Sequence, residues 1–145
     1  MIERVLVVMV LSVATLAACG GSPKQVEVKG KETETAKLAG DWEGTYEGNE
    51  SGRSGPVRFS LQLGRHTADG EVVMGGETPL RIQFIEVAGG KVEGKIAPYT
   101  DPNCECEVET SFIGTVSGDS ISGMFSTKIG ATGQIQTGTW QVTRK

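Results

Sequence analysis

Apolar and polar residues alternate with a period of two along most of the chain. Val57, Phe59, Leu61 and Leu63 are interleaved with Arg58, Ser60 and Gln62; Val108, Thr110, Phe112 and Val116 are interleaved with Glu109, Ser111 and Thr115. Successive side chains of a strand point to opposite faces, so each run has one buried and one wet face. No stretch shows the 3.6-residue period of an amphipathic helix. Clusters of Gly, Pro, Asn and Asp mark the turns and place strands near 40–47, 56–64, 69–74, 79–87, 91–97, 106–117, 119–127 and 133–143.

Connections as tight as AGGK and SGD make consecutive strands antiparallel neighbours. A meander of about eight strands loses its exposed edges only by closing on itself. The pattern therefore predicts an all-β fold, a single antiparallel up-and-down β-barrel, with an open β-sandwich as the alternative if the first and last strands do not pair. The inward set is Trp42, Tyr46, Phe59, Leu61, Ile82, Phe84, Val92, Ile96, Val108, Phe112, Ile121 and Phe125. The apolar face changes parity at Phe84-Ile85 and between Ile135 and Trp140, which predicts a β-bulge at each place. Gly44, Gly94, Gly114, Gly123 and Gly138 fall inside strands, where they permit the coiling a small barrel needs.

The segments GDWEGTYE and WQVTRK resemble the calycin group of barrels, which comprises lipocalins, fatty-acid-binding proteins and avidin-like proteins. Gly40 and Trp42 match the GxW that lipocalins carry on their first strand. The resemblance implies that Arg144, near the end of the last strand, lies across Trp42 at the closed end of the barrel.

The first residues read differently. Arg4 precedes an apolar run from Val5 to Leu16, too short for the roughly 20 residues of a membrane-spanning helix and placed where a secretory signal belongs. The run ends in Leu16-Ala17-Ala18-Cys19, which resembles the lipobox of bacterial lipoproteins. That resemblance implies a signal peptide over 1–18, Cys19 acylated as the mature N-terminus, and anchorage in the cell envelope. Gly20 stands where an Asp favours inner-membrane retention, so the outer membrane is expected, or the cell membrane of a single-membrane organism. Residues 19–37 are polar and read as a flexible tether, leaving 38–145 as the barrel. A net charge of -4 and a pI near 5.1 argue against nucleic acid and against electrostatic attraction to anionic lipid.

Loop lengths choose an open end. GNESGRSG, MGGET, APYTDPNCEC and TKIGATG all emerge at one end, the predicted mouth, whereas the other end carries mostly short turns. Cys104 and Cys106 lie at that mouth. Residues i and i+2 of an extended strand are roughly 6.5–7 Å apart at Cα, at the limit for a disulfide, so a bridge between them requires a local bend. An intrachain disulfide, reduced thiols, an intermolecular bond and a metal site all remain open at this point. Zinc needs four ligands, and His66, the one histidine, belongs to the opposite end. Asp101, Asn103 and Glu105 echo a calcium loop but lack its Gly and distal Glu.

Catalytic sets are not apparent. Ser120 in GDSISG sits beside a hairpin turn with no histidine to activate it, and Glu105, Glu107 and Glu109 read as one outward acidic face. The sequence thus predicts a non-enzymatic protein without cofactor or metal. Its expected partners are the membrane, through the lipid, and a small apolar ligand lined by Tyr46, Phe59 and Phe84. The alternative is a filled barrel whose loops act on an envelope protein, as an assembly factor or inhibitor.

Overall fold

The chain is described by a computed structural model over residues 26–63, 68–75, 78–102 and 104–145; the expected signal segment 1–18, Cys19, Gly20, His66 and Asn103 lie outside the described residues. Among these residues nine strands and one helix follow in order: β1 (Glu27–Gly30), α1 (Glu32–Leu38), β2 (Gly40–Gly48), β3 (Ser54–Leu63), β4 (Ala68–Met74), β5 (Leu80–Ala88), β6 (Lys91–Asp101), β7 (Cys106–Ser117), β8 (Ser120–Ile129) and β9 (Ile135–Arg144). Strands β2 to β9 pair consecutively, and β2 pairs with β9 from Trp42 opposite Arg144 to Gly48 opposite Gly138. The result is a closed eight-stranded antiparallel barrel, consistent with a calycin-like architecture and not with the open sandwich. The tight β5–β6 turn uses Gly89 and Gly90, both at positive φ (59° and 75°), which suits the twist of a hairpin.

The tether reading fails from Val26 onward. Residues 26–30 alternate Val-Glu-Val-Lys-Gly, and β1 pairs in parallel with β5, setting Val28 against Ile85 and Gly30 against Val87. Strands β4 and β5 pair only at Glu71–Arg81 and Val72–Leu80, so β1 occupies the stretch of β5 that β4 leaves free. Val26 is buried as a consequence. Gly30 (φ 134°) turns the chain where a Cβ would come within 2.4 Å of the Val87 carbonyl oxygen. Helix α1 follows, with Glu32 and Glu34 in its first turn and Lys37 in its last, each sign matched to the helix dipole. Its Glu34 carboxylate accepts the Gly89 amide hydrogen at 3.0 Å, which docks the helix on the β5–β6 turn.

Of the two expected bulges, one is present. The β5–β6 register shifts between Ile82 and Phe84, after which Ile85 and Val87 face the core. The expected shift between Ile135 and Trp140 is absent: β9 pairs with β8 without interruption, and Ile135 points outward, 56% exposed. An unforeseen shift lies in β6 between Ile96 and Tyr99. Inward glycines do more than ease coiling. A Cβ on Gly94 would lie 2.3 Å from the Phe112 ring, and one on Gly138 would lie 2.3 Å from the Phe125 ring. Each ring is the cross-strand partner of its glycine and fills the space that glycine lacks.

Candidate functional site

The floor of the barrel is built where α1 meets the first and last barrel strands. Trp42 is fully buried and its indole Nε1 donates to the Leu38 carbonyl at 2.9 Å. Arg144 lies across that indole, its guanidinium carbon 4.3 Å from the ring centre. Its Nη1 donates to the Ala39 carbonyl at 2.6 Å, its Nη2 to the Lys37 carbonyl, and its Nε faces the Asp119 carboxylate at 3.3 Å. These carbonyls end the helix, where a cation is favoured. Gly40 has φ 115°, and a Cβ there would come within 3.0 Å of the guanidinium. The GxW and the distant Arg are thus one packing unit.

Above that floor is an apolar hollow inside the barrel. Water-sized spheres can be centred within about 40 Å³ of it, several times the roughly 10–15 Å³ that one water requires. Leu38 and Val142 bound it near the floor, and Tyr46, Met74 and Phe125 on the mouth side. Tyr46 packs edge-on to Phe125 with ring centres 6.2 Å apart, as Phe112 does to Trp140 at 5.9 Å. Of the three residues expected to line a ligand, Tyr46 and Phe59 do. Phe84 does not: the bulge turns it outward, half-buried, beneath the Lys29 ammonium at 5.4 Å. Leu38 does line the hollow; the sequence reading placed it only at the start of the domain.

A polar tier lies at the mouth. Because of the β6 shift, Tyr99 pairs with Val108 and Asp101 with Cys106, so β6 runs on into what reads as a loop. The Arg53 guanidinium, from the β2–β3 turn, meets the Asp101 carboxylate at 3.2 Å. Strands β3 and β6 are not neighbours, so this ion pair crosses the mouth. Thr110 is buried and shares a 2.8 Å hydrogen bond with Thr127. Burial raises the Tyr99 phenol above its usual pKa, with a hydrogen bond to Thr110 and the Arg53 charge pulling it down and the Asp101 charge pushing it up.

Cys104 and Cys106 are joined by a disulfide at the edge of this tier, their Cα atoms 5.1 Å apart. The required bend is at Glu105, whose φ of 51° is the one positive value on a non-glycine residue among those described. Glu105 therefore leaves the acidic face, while Glu107 and Glu109 stay exposed on β7. Ser120 opens β8 and its hydroxyl donates to the Ser117 carbonyl at 3.1 Å, across the hairpin turn. Among the described residues no three His, Cys, Asp or Glu side chains converge as a metal site would need. Comparisons with protein-family models, with curated proteins and with solved structures find no match to this chain.

Proposed function

We propose that this is a lipid-anchored envelope protein whose barrel holds a compact apolar molecule, an aromatic ring or the end of an acyl chain, in the hollow above Leu38. The observation that carries this reading is the hollow itself, which lies among the inward side chains of the barrel and presents only apolar surface. A cavity of that chemistry gives water no partners, stays dry, and takes an apolar guest in its place. Specificity would come from shape and from the Tyr46, Phe125 and Trp140 rings. Met74, unbranched and half-buried on the mouth side, is suited to yield to a guest larger than the empty space. No catalytic step, cofactor or metal enters this reading.

Anchorage rests on the LAAC sequence at Cys19. Two or three acyl chains, at about 0.8 kcal/mol per buried methylene, would hold the protein where its acidic charge would not. Replacing Cys19 by Ala should move the protein from the membrane fraction to the soluble one; continued sedimentation with membranes contradicts the anchor. Native mass spectrometry of the soluble domain tests the ligand directly, with a retained mass expected and a bare chain from every preparation against it.

A second reading is favoured by the mouth. Arg53 and Asp101 pair across it, and the rings seated on Gly94 and Gly138 leave the hollow small. A filled barrel of this kind would act through its long loops on an envelope protein. Photo-crosslinkers at the exposed loop positions Ser51 and Thr132, compared with the outward strand position Gln62, separate the two readings. A loop-dependent adduct in intact cells supports the second; its absence beside a carried ligand supports the first.

A further inference from the structure

We propose that Cys104–Cys106 is a thiol–disulfide exchange site for an external dithiol, and that its redox state sets the Arg53–Asp101 ion pair across the barrel mouth. Three observations meet here. Cys104 is exposed and Cys106 half-buried, so an attacking thiolate reaches the bond without unfolding the barrel. Glu105 between them is held in the left-handed region at φ 51°, a conformation that costs an L residue. The Glu105 amide donates to the Asp101 carbonyl at 2.8 Å, and the carboxylate of the same Asp101 holds Arg53 at 3.2 Å. Bend and ion pair thus share one residue.

The bridge contributes little to the fold as a whole. It spans a single intervening residue, so it removes little entropy from the unfolded chain. Its effect is local: without it, Glu105 returns to negative φ and the two Cα atoms separate from 5.1 Å toward the roughly 6.5–7 Å of extended chain. The Glu105–Asp101 hydrogen bond is then lost, and Asp101 loses one of the contacts that position it beside Arg53.

The exchange balances as a two-electron transfer. A thiolate of the external dithiol attacks Cys104 Sγ, breaking the Sγ–Sγ bond; Cys106 leaves as a thiolate and takes up a proton. The second thiol of the reagent, as thiolate, attacks its own sulfur in the mixed disulfide and expels Cys104, which is protonated in turn. The dithiol ends oxidised and both cysteines end reduced. A monothiol would need a second molecule to resolve the mixed disulfide while the freed Cys106 competes to re-form the bridge, which is why the partner is assigned as a dithiol. The exchange stands whether or not the hollow takes a ligand; only its control of entry rests on the proposed function.

The test uses the ligand-free mature domain, equilibrated in graded ratios of dithiothreitol to its oxidised form. Alkylation and intact-mass analysis give the reduced fraction, and NMR follows the Glu105 amide and the Arg53 side chain. Expected is full reduction of a still-folded barrel, at least tenfold faster hydrogen exchange at the Glu105 amide, and Arg53 resonances that move to those of the Asp101→Asn variant. Glu105→Gly, which removes the cost of positive φ, should require a reductant ratio roughly tenfold higher. A bridge that resists reduction until the barrel unfolds overturns the proposal. So does reduction that leaves Glu105 and Arg53 unchanged, or a Glu105→Gly variant that reduces as easily as the parent.

Discussion

The guanidinium of Arg144 stacks on the indole of Trp42, 4.3 Å from its centre, while holding the carbonyls of Lys37 and Ala39 that end α1. One side chain thereby ties the last strand, the first barrel strand and the helix under the floor. The stacking is worth about 0.5–2 kcal/mol, and hydrogen bonds from a charged donor add to it. Arg144→Ala should lower the unfolding free energy by about 2 kcal/mol, read from urea melts by circular dichroism. Arg144→Lys should recover less than half, because an ammonium can neither lie flat on the ring nor fork between two carbonyls. A Lys variant as stable as the parent would refute this arrangement.

The N-terminal strand and helix are expected to be part of the folding unit. A chain beginning at Val26 should melt with one beginning at Gly20, whereas one beginning at Ala39 leaves the β5 edge bare and the floor without Leu38. Leu38→Ala alone should cost about 2–4 kcal/mol, as for other fully buried leucines. Equal melting of the Val26 and Ala39 chains would restore the tether reading.

Gly94 and Gly138 are each predicted to reject even a methyl group. The new Cβ would meet the Phe112 or Phe125 ring at 2.3 Å and a strand carbonyl oxygen at 2.8 or 2.4 Å, and the carbonyl belongs to a paired backbone that cannot swing aside. Gly94→Ala should destabilise the barrel by about 1–3 kcal/mol. Gly94→Ala combined with Phe112→Leu should be less damaging than the sum of the two single changes, and strict additivity would count against the paired packing.

Much of this barrel is legible because its strands each bury one face, so period two and turn residues locate all eight. The failures have specific physical causes. Val26, Glu27, Val28 and Lys29 alternate as any half-buried strand does, but four residues between polar flanks fall below what periodicity alone distinguishes from a linker. A bulge moves every later residue to the other face, and neither its position nor its existence is fixed by the residues alone. That is why alternation alone points Phe84 inward and leaves Tyr99 and Asp101 in a loop. At the floor, alternation places Trp42 inward, but its link to Gly40 and Arg144 is legible only through a family resemblance, and their shared reason appears once the guanidinium is seen to need the space beside Gly40.

Alkali should find Tyr99. Its folded pKa lies above the ordinary 10.0, chiefly because burial disfavours the phenolate. The neutral phenol therefore stabilises the fold fully below pH 10, and that contribution is lost as pH rises from there through the folded value. Tyrosinate absorbance should show a late-titrating component that disappears in Tyr99→Phe, and the variant should lose less stability between pH 9 and about 11 than the parent. A Tyr99 that titrates at its ordinary value would place the ring in solvent instead of under the mouth.

The most direct test of the ligand reading is a xenon-pressure titration followed by methyl NMR, since xenon is apolar and compact enough to probe the hollow with little rearrangement. The methyls of Val57, Val72 and Ile96, which line the hollow, should shift progressively and saturate, while those of the outward Ile113, 49% exposed, should not. Shifts that are absent, or that fall equally on Ile113, would mean that the barrel offers an apolar guest no interior site.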